Sequence, residues 1–225
     1  MSQNTTPAEL ARVRRKPSRA RYDTAAVYAV LDAAPLCHVA TVRRDRPIVL
    51  PMAFGRIGDV LVLHGSPVAG LFRDAAADSP VCVTATLLDA LVLARSARNH
   101  SMNYRSVVVH GEAVRVTEPD RVMAGLRAVV EHVTPGRWAQ IREPTGTELR
   151  ETALWQVAIG AAAAGPGQSS TASVKIRSGS TLDPDADRAW PVWAGQIPAR
   201  LTFGPPVEAD DLPPGTPFPG YLRAL

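Results

Sequence analysis

Side chains able to do chemistry crowd into one stretch of this 225-residue chain. Between the apolar runs Leu87–Ala94 and Ser106–Val116 lies Arg95–Arg105, which holds Ser96, Arg98, Asn99, His100, Ser101, Asn103, Tyr104 and Arg105. A hydrophobic core has no use for such a cluster, so water or a polar ligand is expected to satisfy it. Loops held by a rigid scaffold are also where binding residues concentrate. The competing reading is a plain solvated hairpin loop.

Several chemistries are excluded by pattern. There is no GxGxxG after a strand and no GxxxxGK[ST], so neither a Rossmann fingerprint nor a P-loop is present. CxxC, HExxH and GxSxG are also missing, which argues against a zinc site or a hydrolase elbow. The histidines at 38, 64, 100, 110 and 132 lack metal-ligand spacing. His132 falls on a helical face and reads as a surface residue, and His38 and His110 read as satisfied strand histidines. His64 and His100 remain. His64 is the one candidate for a catalytic group, although a structural or ligand-contacting role suits both better.

Charge is unevenly placed. Residues 1–22 carry Arg12, Arg14, Arg15, Lys16, Arg19 and Arg21 against Glu9, a net +5, so the remainder is −1. A basic arm on a neutral body suits nucleic acid or acidic lipid, but a solvated tail is the commoner case. The body has one lysine, Lys175. Cys37 and Cys82 sit in apolar runs and read as small buried hydrophobes. No apolar run approaches bilayer length, and Met1–Thr6 is polar, so a cytoplasmic protein is expected.

The elements that must position these residues are short. Residues 1–21 read as a disordered basic arm, 22–205 as one domain and 206–225 as a proline-rich tail. Asp23 caps a helix that carries Val27, Val30, Leu31 and Ala34 on one face. Strands are predicted over Leu36–Val42, Ile48–Phe54 and Val60–His64, with Pro51 marking an edge or bulge. Ser66 and Pro67 open a further helix whose N-terminus could meet a phosphate. Strands Val81–Leu87 and Leu91–Ala94 hinge at Leu88–Ala90, and Tyr104–Val116 is a long strand. Thr117 and Asp120 have capping-box spacing before a helix that carries Val122, Leu126, Val129, Val130 and Val133. Thr152–Ile159 and Ser173–Ile176 read as the last strands. Six or seven antiparallel strands with peripheral helices make a mainly β (α+β) fold, a β-barrel.

The blocks HVATVRRDRPIVLPMAFGRIGDVLVLHGSP (38–67) and VTATLLDALVLARSARNHSMNYRSVVVHGEAVRV (83–116) resemble the pyridoxamine 5′-phosphate oxidase-related superfamily. Within it they resemble the nitroimidazole-reductase-like, flavin-nucleotide-binding branch. The likeness runs on through PGRW (135–138), VKIRSG (174–179) and PVWAGQIP (191–198). It implies an FMN-binding split β-barrel, a homodimer with flavin at the interface, and oxidation or reduction of a small organic molecule, nitroaromatics included, with NADH or NADPH as donor. Pro51, Met52, Ala53 and Phe54 resemble the strand whose backbone lies along the flavin ring. His64, Gly65 and Ser66 match the strand end and helix start beside it. Asn103, Tyr104, Arg105 and Ser106 match the block that faces the ribityl–phosphate part. Lys175 and Arg177 would supply charge for the phosphate, and Trp193 would pack on the ring from the partner. Many relatives place a base just after the HGS element, whereas here Pro67-Val68-Ala69-Gly70-Leu71 has none before Arg73. That leaves Arg105 or Lys175 for the phosphate, or points to deazaflavin F420 or to a lost cofactor. A non-catalytic flavin-binding or storage protein is the alternative function; nucleic-acid binding through the arm is a lesser one.

Overall fold

Short apolar runs punctuated by turn residues fold here as antiparallel strands. The structure, a computed structural model, describes residues 7–65, 79–166 and 168–224. In chain order the regular elements are α1 (Pro7–Ala11), β1 (Ala20–Arg21), α2 (Thr24–Ala33), β2 (Cys37–Arg43), β3 (Arg46–Met52), β4 (Phe54–Ile57) and β5 (Val60–Gly65). They continue with β6 (Ser79–Leu93), β7 (Ser101–Val116), α3 (Pro119–Val133), α4 (Gly146–Glu151), β8 (Ala153–Ala158), β9 (Thr171–Arg177) and β10 (Gly195–Pro198). Ser66, the helix expected after it and Arg73 lie outside the described residues.

The order β3-β2-β6-β7-β8-β5-β4 forms the main sheet, with β9 also on β7, β1 on β9 and β10 on β6. β7 belongs to both halves of the split barrel. Its first part pairs with β6 and β9, and Val114–Val116 pairs with β8. Arg44 and Asp45, both at positive φ (49° and 59°), close the β2–β3 hairpin as a turn whose twist matches the strands. β3 is an edge strand, as Pro51 requires, and the predicted single strand through Phe54 is divided at Ala53. The hinge expected at Leu88–Ala90 is a β-bulge inside a continuous β6.

Alternation along the strands buries Val39, Leu61, Leu63, Val83, Val107, Val109 and Val174 inside the barrel, beneath Val27, Val30 and Leu31 of α2. Asp23 caps α2 as expected, accepting from Ala26 N at 2.9 Å. A second core lies between α3 and the β5–β8 pair, around Val62, Val122, Val129 and Leu154. α3 crosses so closely that a Cβ on Gly55 would lie 2.6 Å from the Ala128 backbone. Its cap differs from the expectation: Glu118 is the N-cap residue and Pro119 follows, while the capping box belongs to Thr145 and Glu148 of α4. His132 is not a surface residue. Its Nε2 lies 2.8 Å from the Ala34 carbonyl, and its ring is tilted against Phe54.

The arm also carries regular elements where it is described. From Pro7 it forms α1, a 3-10 turn at Pro17–Arg19 and β1, which pairs with β9. Ala11 is buried. The stretch that reads as a disordered arm thus carries these elements from residue 7 onward, with Ala11 and the extended Ala20–Arg21 finding partners that a count of basic residues does not register.

Candidate functional site

The polar segment behaves differently from its composition. Arg95 donates from its backbone N and its Nη1 to the Asp183 carboxylate, both at 3.0 Å. Arg105 donates to both oxygens of Asp89 at 2.8–3.2 Å, because the bulge turns Asp89 toward it. Asn99 donates to the Ser96 hydroxyl at 2.9 Å, and His100 Nδ1 lies 3.0 Å from the Ser96 carbonyl. Asn103, 5 % exposed, donates to Gly179 O and Gln196 Oε1 and accepts from Arg177 Nη1. The protein itself satisfies much of the cluster, a correction to the expectation that water or a ligand must do so. The Arg105 guanidinium is held charged by Asp89 and is already engaged.

What stays open is the outer face of the sheet. On β7, Val107 and Val109 point into the barrel, so Tyr104, Ser106, Val108 and His110 point out. The register carries this face across five strands. Pro51 opposes His38, His38 opposes Thr84, Thr84 opposes Val108, and Val108 opposes Ser173. At the usual interstrand spacing that row is roughly 19 Å wide. The next row holds Thr86, Ser106 and Lys175, with Thr86 Oγ1 donating to Ser106 Oγ at 3.0 Å; the row beyond holds Leu88, Tyr104 and Arg177. A cavity of about 380 Å³ lies over these rows, lined by Arg12 and Val13 of the arm and by Tyr104, Ser106, Ser173 and Lys175. A second cavity, about 300 Å³, adjoins it through Leu10 and His110 and is lined by Cys82 and Glu112.

The structure thus brings Tyr104, Ser106 and Lys175 together, with Arg177 at the end of the same strand. Pro51 shares the outer face. Met52 is half-buried against the barrel core, Ala53 packs on the second core, and Phe54 is fully buried, so the side chains of that block do not act as a unit. Gly65 faces Met52 and Trp155. His64 opposes Leu154, and its Nδ1 is buried with no hydrogen-bond partner among the described residues. Burial lowers the His64 pKa, which keeps the imidazole neutral. Trp190 and Trp193 are both 64 % exposed, and Trp193 lies against Gly195 at the Leu93 end of β6, apart from the lysine–tyrosine cluster. Their bulk is not covered by their own chain. Sequence reading missed Arg12, Arg19 and Asp89: the arginines sit in what looked like a tail, and Asp89 depends on the bulge.

Residues 23–165 match the sequence family described as Pyridoxamine 5'-phosphate oxidase. The chain belongs to that family of flavin-binding split barrels. This split barrel is similar to the flavocytochrome Anf3 from Azotobacter vinelandii, at 36 % identity over 97 % of each chain, with a TM-score of 0.85. It is also similar to the FAD and heme binding protein from Mycobacterium smegmatis, at 34 % identity over 92 % of this chain and 96 % of that one, with a TM-score of 0.81. A structure from Bacteroides thetaiotaomicron, proposed to be a 5-nitroimidazole antibiotic resistance protein, is more distant. At 22 % identity over 69 % of this chain and 86 % of that one, with a TM-score of 0.52, it shares the fold alone. The likeness expected to the nitroimidazole branch is therefore weaker than the likeness to the flavocytochrome. No curated protein matches the chain. Among the described residues, no helix is long and apolar enough to cross a membrane.

Proposed function

We propose that this split barrel is a redox protein that holds FAD along the outer face of the β3-β2-β6-β7-β9 sheet and carries haem as a second group. One observation carries the reading: two relatives at about one-third identity, spanning nearly the whole chain, are named a flavocytochrome and an FAD and heme binding protein. FAD thus replaces the FMN that the family resemblance implies. The residues present suit the flavin. Tyr104, Ser106 and Lys175 offer hydroxyls and a cation to a ribityl–phosphate chain on the open face. His64 carries a neutral imidazole whose buried Nδ1 has no partner among the described residues, and the haem part of the reading rests on the two relatives alone.

Bound flavin and haem would supply the electron exchange; the chain supplies binding, orientation and electrostatics. Thr86 fixes the Ser106 hydroxyl, and the Lys175 ammonium neutralises phosphate. Burial holds His64 unprotonated near neutral pH. A second copy is the partner we propose for the same face, since Val42, Val49 and Leu88 stand 68, 56 and 45 % exposed on it and would be covered by a dimer.

The absorption spectrum of the purified full-length protein tests the reading. Flavin bands with a Soret band are expected, FAD rather than FMN on extraction, and a mass near twice 24.0 kDa by light scattering. A colourless protein that stays colourless through titration with FAD and with haemin would remove both cofactors from the proposal, and a monomer would remove the dimer.

A further inference from the structure

We propose that the N-terminal arm is a working part of the cofactor site, with Arg19 joining Lys175 and Arg177 in a cationic pocket for the phosphate or diphosphate of the flavin nucleotide. The inference deepens the flavin reading and rests on it.

Ala20 pairs with Lys175 and Arg21 with Val174, so the arm is stitched to the strand that carries both cations. The 3-10 turn ending in Arg19 immediately precedes this pairing and packs on β9. Upstream, the arm bends back over the outer face, where the Val13 N–H donates to the Tyr22 hydroxyl at 3.0 Å and Arg12 reaches the cavity above Lys175. The arm thus roofs a cavity whose floor is Tyr104, Ser106 and Lys175.

Arg177 is only 5 % exposed, and its hydrogen-bond acceptor among the described residues is the neutral amide oxygen of Asn103. Among the described residues no carboxylate forms an ion pair with Arg177, Lys175 or Arg19. Arg56, Arg95, Arg105 and Arg142 each have one. Burial, with repulsion from Arg19, pushes the Arg177 pKa down. A buried guanidinium facing a second cation is unfavourable unless an anion joins them. Phosphate oxygens accept charge-assisted bonds from both cation types and supply the missing negative charge.

The arm also answers the missing base after the HGS element. This chain brings a cation to β9 from the N-terminal side through the β1–β9 pairing.

The test titrates flavin-free full-length protein with riboflavin, FMN and FAD, reading flavin fluorescence, for wild type, Arg19→Gln and Lys175→Gln. Each variant should lose roughly tenfold in affinity for the phosphate-bearing flavins and less than about twofold for riboflavin, which lacks phosphate and so reports intact folding. FAD tighter than FMN would assign a diphosphate, and equal affinity a single phosphate. Unchanged discrimination against riboflavin in both variants would overturn the proposal. Calorimetry with inorganic pyrophosphate separates this result from failure of the flavin reading. If no flavin binds, pyrophosphate binding that Arg19→Gln abolishes still supports the arm site, and no binding to wild type overturns it.

Discussion

The polar segment 95–105, which runs into β7, and the β1–β9 strand pair beside β7 are both arginine-bearing, but their charges are handled in opposite ways. In the first, Arg95 meets Asp183, Arg105 meets Asp89, and Asn103 is saturated by Gly179, Gln196 and Arg177. In the second, Lys175 and Arg177 of β9 and Arg19, just before β1, have no carboxylate partner among the described residues. Density of polar residues therefore marks where this fold needs internal hydrogen bonds. Unpaired charge marks where we place the proposed ligand. A substitution in the first region should act on stability, and one in the second on binding.

The largest effect is expected at Asn103, whose side chain ties the polar segment to Arg177 of β9. Asn103→Ala strands the Gly179 carbonyl and the Gln196 amide and removes the acceptor of a buried guanidinium. A loss of about 2–3 kcal/mol is expected, read as a lower urea midpoint with unchanged slope. A midpoint within error of wild type would show that the segment is not held from inside, and the comparison would break.

The next pair sharpens it. Arg105→Ala removes a half-exposed ion pair and should cost about 0.5–1 kcal/mol of stability, while flavin affinity changes by less than about twofold. Lys175→Gln should do the reverse, with stability within about 0.5 kcal/mol of wild type and the tenfold loss of affinity given above. If Arg105→Ala weakens flavin binding more than Lys175→Gln, the phosphate lies at the bulge and not on β9.

Legibility followed the range of the interactions. Strand alternation is a two-residue signal, so β2, β5, β7 and β8 lie close to where the sequence places them, and Pro51 reports the edge strand through one missing N–H. The family blocks supplied the fold and pointed to Tyr104, Ser106 and Lys175, which do come together. The pairing partners were not legible. Asp89 and Arg105 are sixteen residues apart and meet only because a bulge re-aims one side chain, while Arg95 and Asp183 are separated by 88. Arg19 was hidden in a stretch whose composition matches a solvated tail, since two residues of β-pairing leave no periodic trace. His132 looked exposed because its helix is amphipathic, but its ring reaches Phe54 and the Ala34 carbonyl on other elements.

The two cysteines report the two faces of one sheet, and the smallest predicted effects concern them. Cys37 of β2 is fully buried in the barrel core; Cys82 of β6 points outward into the cavity beneath Leu10. Burial pushes the Cys37 thiol up to about 12, well above its range in an unfolded chain, and raises Cys82 in the same direction. The reagent needs thiolate and access, so N-ethylmaleimide should modify Cys82 slowly in the native protein and Cys37 only after unfolding. Removing residues 1–13 should speed Cys82 and leave Cys37 protected, because Leu10 covers one face only. The raised Cys37 pKa also fixes a sign. Its stabilising contribution is complete below about pH 8.5, where the unfolded thiol is still protonated. As pH rises from there toward 12, the unfolded chain ionises first and that contribution is lost. Urea midpoints should therefore fall over this interval in wild type and fall less steeply in Cys37→Ala, whatever that variant loses at neutral pH through its smaller side chain. Equal labelling rates for the two thiols, or identical alkaline slopes, would mean that β2 does not separate a dry interior from an open outer face.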